Sequence, residues 1–429
     1  MIPMLLVIFL VLMIGGAPIA VALGCSTIIP SEVYHQISLS AITKIGTGSW
    51  ASYLLVACPL FTFSGDIMAK GGISKRLVNV ANLIFGNITG GIGMVAIVAA
   101  MIFAAISGTG SATVSAIGMM MIPEMVKCGY DRAYGTSMVA AAGTIGTMIP
   151  PSICMVVYAV TAGVSITSMF TAGIPAGILV GVMLCLYCYI SSKQRGYTPK
   201  EKVHHSAKEV AKIVVDAIPA LLVPVIILGG IYSGLVTPTE SAALGCVVGI
   251  IVSLCIYKEV DVKTLPYLAS HSMTIAAPVM FIIAMSSGFG SLLSMAQVPK
   301  HVAEFILGIT DSRIIILLVI NVIYLIMGTF METNACIILM TPILLPVVTA
   351  LGVSPVHFGI ITIVNLAIGF VTPPLGANLF MASAIGHVEL NKLSKTIWPW
   401  IIAMIIALIL ITYIPAITLA LPTAMGLSI

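Results

Sequence analysis

Long apolar runs separated by short polar segments fill this chain from end to end. Residues 213–236 and 398–420 exceed the roughly 18–20 apolar residues that cross a bilayer. Several other runs are broken in the middle by Gly, Pro, Ser and Thr. The pattern predicts spanning helices over 4–29, 48–69, 166–191, 213–236, 241–257, 277–296 and 396–421, and a helix on the membrane surface over 77–90. It predicts two re-entrant hairpins, at about 91–126 and 313–349. It also predicts two broken spanning helices, 134–162 and 356–385, interrupted at 149–152 and 372–375.

The interruptions repeat. Residues 107–151 align without a gap on 330–374, at an offset of 223. Pro123 falls on Pro346, Gly129 on Gly352, Gly146 on Gly369, and Pro150-Pro151 on Pro373-Pro374. Only seven of the 45 aligned pairs are identical, so the matched helix breaks carry the repeat. The loop Lys-Cys-Gly-Tyr-Asp-Arg at 127–132 corresponds to Ala-Leu-Gly-Val-Ser-Pro at 350–355, which has no basic residue. Basic loops stay in the cytoplasm, so equivalent loops of unlike charge imply copies in opposite orientations. The expected fold is an all-α polytopic membrane protein of two inverted-topology repeats. The first spans 1–192 and the second 237–429, joined by a basic loop and linker helix over 193–236.

Composition agrees. Of 429 residues, 60% are hydrophobic and 7% charged, where a soluble domain has about a quarter charged. Essentially no soluble domain is expected. The net charge of +4 reflects cytoplasmic loops, with Lys70, Lys75, Arg76, Lys127 and Arg132 among the markers, and implies no nucleic-acid partner. Residues 1–22 lack a basic start and read as a retained helix, not a signal peptide. Cys185 and Cys188 form a C-x-x-C without a second pair or a nearby His, and read as packing residues. The 25 methionines show no clustered motif and fit helix packing better than a copper pathway. The sequence has no G-x-x-x-x-G-K-[ST], no H-E-x-x-H, no G-x-G-D partner for Tyr130-Asp131, no serine elbow and no T-V-G-Y-G filter. It is not expected to be an enzyme.

The chemistry is expected at the breaks. Unwound backbone inside a membrane must line a cavity or water, since lipid cannot satisfy its N–H and C=O groups. The first hairpin turns at Ser107, Gly108, Thr109, Gly110 and Ser111, and the second at Gly328, Thr329, Phe330, Met331, Glu332, Thr333 and Asn334. Each has a companion break. One holds Gly146, Thr147, Met148, Pro150 and Ser152; the other holds Gly369, Thr372, Pro373 and Asn378. Proline frees the carbonyl a turn earlier, and free carbonyls and hydroxyls suit sodium. Two tip-and-break pairs predict at least two sodium sites. Glu332 has no acidic counterpart, since Thr109 takes its place in the first copy. It could bind sodium, relay protons or hold a partner helix in register. Thr237-Pro-Thr-Glu240 reads as a capping box. Asp66 and Glu124 are expected in solvent near helix ends, and His204 and His205 in the basic loop.

The chain resembles the large membrane subunit of the tripartite ATP-independent periplasmic (TRAP) transporters along essentially its whole length. The resemblance lies in SGTGSATVSAIG (107–118), IPEMVKCGYDRAYG (122–135), GTIGTMIPPS (143–152), TPTESAALG (237–245), GTFMETNACIILMTPILLPV (328–347) and GFVTPPLGANLF (369–380). It implies sodium-coupled import of a small organic anion across the bacterial inner membrane, with sialic acid favoured over C4-dicarboxylates. A periplasmic binding protein would deliver the anion, and a separate small membrane subunit of about four helices would complete the permease. It also implies an elevator, with both hairpins in a transport domain sliding against a scaffold. By this resemblance the tips and breaks carry sodium and substrate. Ser111, Ser152, Glu332, Asn334 and Asn378 are then the candidates for the anion. Ser107, Gly108, Thr109, Gly110, Gly146, Thr147, Met148, Pro150, Gly328, Thr329, Thr333, Gly369, Thr372 and Pro373 are the candidates for sodium. The alternatives are a stand-alone sodium/dicarboxylate-type carrier and an uncoupled channel on the same fold.

Overall fold

The computed structural model describes residues 1–429 except 36, 51–52, 199–205, 310–311 and 375. His204, His205 and Leu375 of the second break therefore lie outside the described residues. Among the described residues every regular element is a helix. The N-terminal part contains α1 (Ile2–Ile14), α2 (Ile19–Tyr34), α3 (Leu39–Trp50), α4 (Ala57–Lys70) and α5 (Ile73–Phe85). The first interrupted set follows as α6 (Gly91–Ser107), α7 (Gly110–Lys127), α8 (Arg132–Gly143) and α9 (Ile153–Ala162). Long helices α10 (Ile166–Arg195), α11 (Ala207–Tyr232), α12 (Pro238–Ile250) and α13 (Leu265–Met295) come next, then α14 (Val298–Ile309). The second interrupted set is α15 (Arg313–Phe330), α16 (Thr333–Ala350), α17 (Pro355–Gly369) and α18 (Ala377–Gly386). The chain closes with α19 (Leu390–Thr396), α20 (Trp398–Tyr413) and α21 (Ala416–Ala424). Six of the described helices are long and apolar enough to cross a membrane singly.

Several boundaries differ from the hydropathy reading, each for a local reason. Residues 4–29 are not one span. Gly16 takes φ +76 and Pro18 follows, so α1 stops and packs against α2. Residues 396–421 divide into three helices at Pro399 and Pro415. α13 starts at Leu265, because Pro266 in the first turn opens a helix without loss. α3 and α14 are too short and too mixed in polarity to register as apolar runs. The first break opens early. α8 ends at Gly143, a single 3₁₀ turn covers Thr144–Thr147, and α9 starts only at Ile153. The Pro150–Pro151 and Pro373–Pro374 bonds are both cis. At Thr237 the capping box is present as expected, with the Thr237 N–H donating to Glu240 Oε2 at 2.7 Å and the Glu240 N–H to Thr237 Oγ1 at 3.3 Å.

Hydrogen bonds fix which helix ends share a face. Gly90 N–H donates to the Tyr197 carbonyl at 3.0 Å, and Asp131 N–H donates to the Tyr197 hydroxyl at 3.1 Å. Both outer ends of α6–α7 therefore meet the end of α10. The outer ends of α15–α16 lie elsewhere. The Tyr413 hydroxyl donates to the Ile314 carbonyl at 2.9 Å, and the Tyr158 hydroxyl in α9 to the Pro355 carbonyl at 2.7 Å. α17–α18 then return, since the Arg132 guanidinium at the start of α8 donates to the Gly386 carbonyl at 3.3 Å. Arg76 pairs with Glu259 at 2.8 Å and Asp216 at 3.2 Å, joining α5 to α11 and to the end of the α12 segment.

The core is apolar and continuous through both interrupted sets. One polar chain crosses it. Asn365 Nδ2 donates to Asn321 Oδ1 at 2.8 Å, and Asn321 Nδ2 to Thr412 Oγ1 at 3.0 Å. His357 Nδ1 lies 2.7 Å from Thr418 Oγ1. These bonds tie α15, α17, α20 and α21 together where lipid offers no competing partner.

Close backbone approach gives a stability test. A Cβ on Gly369 would lie 2.6 Å from Gly328 Cα and 2.7 Å from its carbonyl oxygen, whereas one on Gly229 meets nothing within 4 Å. Gly369→Ala should lose about 1–3 kcal/mol through overpacking. Gly229→Ala in α11 should be neutral or gain up to about 1 kcal/mol. Thermal unfolding of the two variants in detergent measures both signs.

Candidate functional site

The first hairpin turns because Gly108 adopts φ +63 and ends α6, while Thr109 is extended and opens α7. The tip rests on its companion break. A Cβ on Gly108 would lie 2.6 Å from the Pro151 carbonyl oxygen, and one on Gly146 would lie 2.6 Å from Thr113 Oγ1 and collide with the Thr109 carbonyl. Only glycine allows these backbones to meet. The second tip repeats the arrangement, with Gly328 against Gly369.

Five hydroxyls at these junctions use their protons locally. Thr113 donates to the Thr109 carbonyl at 2.8 Å, Thr147 to Thr144 at 2.9 Å, and Ser152 to Thr147 at 2.7 Å. Thr329 donates to Ile326 at 2.7 Å and Thr372 to Ile368 at 2.8 Å. Ser107 Oγ lies 2.9 Å from Thr113 Oγ1. A hydroxyl that has given its proton away presents lone pairs only, which is the form a cation takes.

The amides differ. Asn378 is fully buried, and among the described residues neither its Nδ2 nor its Oδ1 has a hydrogen-bond partner. The amide lies beside the first tip, since a Cβ on Gly110 would be 2.8 Å from Asn378 Nδ2. An unpaired buried amide costs about 1–3 kcal/mol. Asn334 Oδ1 and Thr333 Oγ1 are likewise buried without a partner. Glu332 caps α16: Oε2 accepts from the Ala335 N–H at 2.9 Å and Oε1 from Asn334 Nδ2 at 2.8 Å. This cap on its own helix is a fourth role, beyond the three the sequence suggested for Glu332.

A cavity of about 470 Å³ opens between the first hairpin and the α4–α13 pair. Ser107, Thr109, Ser111 and Ser115 form one wall; Asp66, Lys70, Tyr267 and His271 stand on the other. Gly146, Thr147 and Ser152 lie buried behind the first tip, and Asn378 beside it. Met148 turns away, its carbonyl facing Gly173 of α10. Pro150 precedes the Pro151 carbonyl that meets Gly108. Glu332, Thr333 and Asn334 are not on the cavity wall; α16 packs instead on α9, as α18 packs on α7. The two halves therefore interlock at the breaks.

Asp66 is not solvated as expected. Its side chain is 15% exposed, accepts from the Ser272 hydroxyl at 2.6 Å, and lies 2.9 Å from His271 Nδ1. The partners are 205 residues apart in sequence, so no local pattern could signal them. Thr113 was also missed, although its spacing from Thr109 puts it on the same helix face. Glu124 is exposed and pairs with Lys127 at 2.6 Å. Cys188 is a buried packing residue that donates to the Gly90 carbonyl at 3.7 Å.

Paired interrupted helices around a cavity, in a multi-pass helical membrane chain, define a transport protein. The structure matches that of the YdaH transporter of Alcanivorax borkumensis with a TM-score of 0.61 at 15% identity, covering 86% of each chain. That likeness is one of fold. The family described as "Tripartite ATP-independent periplasmic transporter, DctM component" matches residues 6–417. The chain belongs to this family. Among relatives, the isethionate TRAP transporter permease protein DctMQ of Oleidesulfovibrio alaskensis is 43% identical over 97% of this chain. This chain spans 65% of that relative's length. The C4-dicarboxylate TRAP transporter large permease protein DctM of Pseudomonas aeruginosa is 41% identical, with 88% of each chain covered. The sialic acid TRAP transporter large permease protein SiaM of Vibrio cholerae is 34% identical, with 87% of each covered. These are transport permeases and not enzymes, as the sequence led one to expect.

Asn378 separates a stability role from a functional one. Asn378→Leu removes the unpaired amide at similar volume and should raise stability by about 1 kcal/mol, read as a higher Tm. A fall in Tm would mean that the amide is satisfied in the folded protein as it stands.

Proposed function

We propose that this chain is the large permease subunit that carries a small organic anion across the bacterial inner membrane, driven by sodium. The observation that supports the reading most directly is the junction of tips and breaks. It offers hydroxyl oxygens with their protons already donated, broken-helix carbonyls, and the buried amide of Asn378. Sodium fits the first two as co-transported cargo. One ion is assigned to Ser107–Gly110 with Gly146–Pro150, and a second to Gly328, Thr329 and Thr333 with Gly369–Pro373. The anion is assigned to the cavity face at Ser111, with Ser152 and Asn378 behind it and Glu332 and Asn334 shaping the second tip. The first turn of α7 lines this cavity, and its free N–H groups favour negative charge.

The shared ends of α6–α7 and α10, and the separate ends of α15–α16 and α20, support two halves in opposite orientations. In that reading α2, α4, α12 and α13 belong to a scaffold and α6–α9 with α15–α18 to a moving body, as in an elevator. Two sodium ions crossing about 100 mV supply roughly 2 × 2.3 kcal/mol. That is enough for an accumulation on the order of a thousandfold of a neutral load. A periplasmic binding protein and a small four-helix membrane subunit complete the assembly. The cargoes named for the relatives are isethionate, C4-dicarboxylates and sialic acid, at 43%, 41% and 34% identity. By that order isethionate and C4-dicarboxylates precede the sialic acid favoured by overall resemblance.

The test is uptake of isethionate, succinate and N-acetylneuraminate into proteoliposomes holding the assembled permease, with the binding protein outside. Accumulation should require an inward sodium gradient. Accumulation with sodium absent and no other ion gradient ends the coupling reading. Ser107→Ala and Asn334→Ala should each weaken uptake about tenfold or more, the loss expected when a buried polar partner is removed, while inserting normally. Asn378→Leu should lose uptake while its Tm rises. Unchanged sodium dependence in the first two variants means that the tips only pack.

A further inference from the structure

The cavity has two unlike walls. α7 supplies hydroxyls and small apolar groups, whereas α4 and α13 supply Asp66, Lys70 and His271. The charges on that second wall are not equivalent. Asp66 turns its carboxylate into α13, where Ser272 and His271 hold it at 2.6 and 2.9 Å. Lys70 stands one turn further along α4, on the same face. Its Nζ lies 5.8 Å from the centre of the Tyr267 ring, a distance at which the ring face steers a cation. Among the described residues no carboxylate is within ion-pair distance of Lys70. The carboxylate is directed into α13 and the ammonium is left unpaired beside the opening, so the charge nearest the cavity mouth is that of Lys70.

We infer that Lys70 is a specificity-determining residue, which holds the carboxylate or sulfonate of a small organic anion in the cavity opposite Ser111. The inference rests on the organic-anion reading above and adds a residue on the opposite wall, outside the tips and breaks. Asp66, His271 and Ser272 act as positioning residues. By holding the carboxylate they keep Lys70 from closing on it, and Tyr267 keeps the ammonium over the cavity. A narrow cleft with low-dielectric walls focuses such a field and raises the local concentration of the anion.

The experiment uses the assembled permease carrying Ser115→Cys on the α7 wall. Labelling of that cysteine is followed by peptide mass spectrometry with anionic 2-sulfonatoethyl methanethiosulfonate and with its cationic trimethylammonioethyl analogue. Lys70→Gln should lower the anion-to-cation rate ratio about tenfold. Lys70→Arg should preserve it, and Lys75→Gln on α5, away from the cavity lining, should leave it unchanged. In the protein with Lys70 intact, high salt should lower the same ratio, which needs no variant to fold. An unchanged ratio in Lys70→Gln, or a ratio indifferent to salt, overturns the inference. Labelling does not require transport. A Lys70-dependent ratio without sodium-driven uptake would therefore sink the coupling reading and leave the anion attraction standing, and the converse result sinks only the role of Lys70.

Discussion

A helix interrupted within an apolar environment leaves peptide groups that no lipid can satisfy, and this chain has four such interruptions. Each must be covered by another part of the same protein. The solution adopted is to press the interruptions together in pairs. Gly108 meets the Pro151 carbonyl, Gly146 meets Thr109, and Gly328 meets Gly369. The contacts are backbone to backbone, so side chains larger than hydrogen are excluded there. The arrangement of α6–α9 and α15–α18 meets this requirement by covering the gaps with one another's backbone.

The same constraint concentrates polarity. Hydroxyls beside the gaps donate to carbonyls one turn back and keep their lone pairs. Asn378 is left with an unpaired amide against the first tip. Interlocking also couples the halves, since α18 of one packs on α7 of the other and α9 on α16.

Charge is used sparingly: Glu332 caps α16 at the second tip, and the ion pairs lie away from the gaps. The Arg76 cluster joins α5 to α11 and to Glu259 beyond α12, and the Asp66–His271 contact joins α4 to α13. Both lie on helices outside the interrupted sets. Ionic contacts thus join the surrounding helices, while hydroxyls, backbone carbonyls and the Glu332 cap organise the junction.

The sequence by itself determined where helices stop. Gly, Pro and small hydroxyl residues at an offset of 223 marked both tips and both breaks, because a break is a local property of the backbone. The capping box at Thr237–Glu240 was legible for the same reason. Hydropathy was less able to place short or mixed helices such as α3 and α14, or to see that Gly16 and Pro18 divide the first run. Only the tertiary structure decided which residues meet. Asn378 reaches Gly110 across 268 positions, and Asp66 finds His271 across 205. Asn365 joins Asn321 and Thr412 across three helices. Such pairings depend on how apolar surfaces fit together. Many sequences of the same polarity satisfy the local rules, and only the packed three-dimensional arrangement selects among the long-range partners.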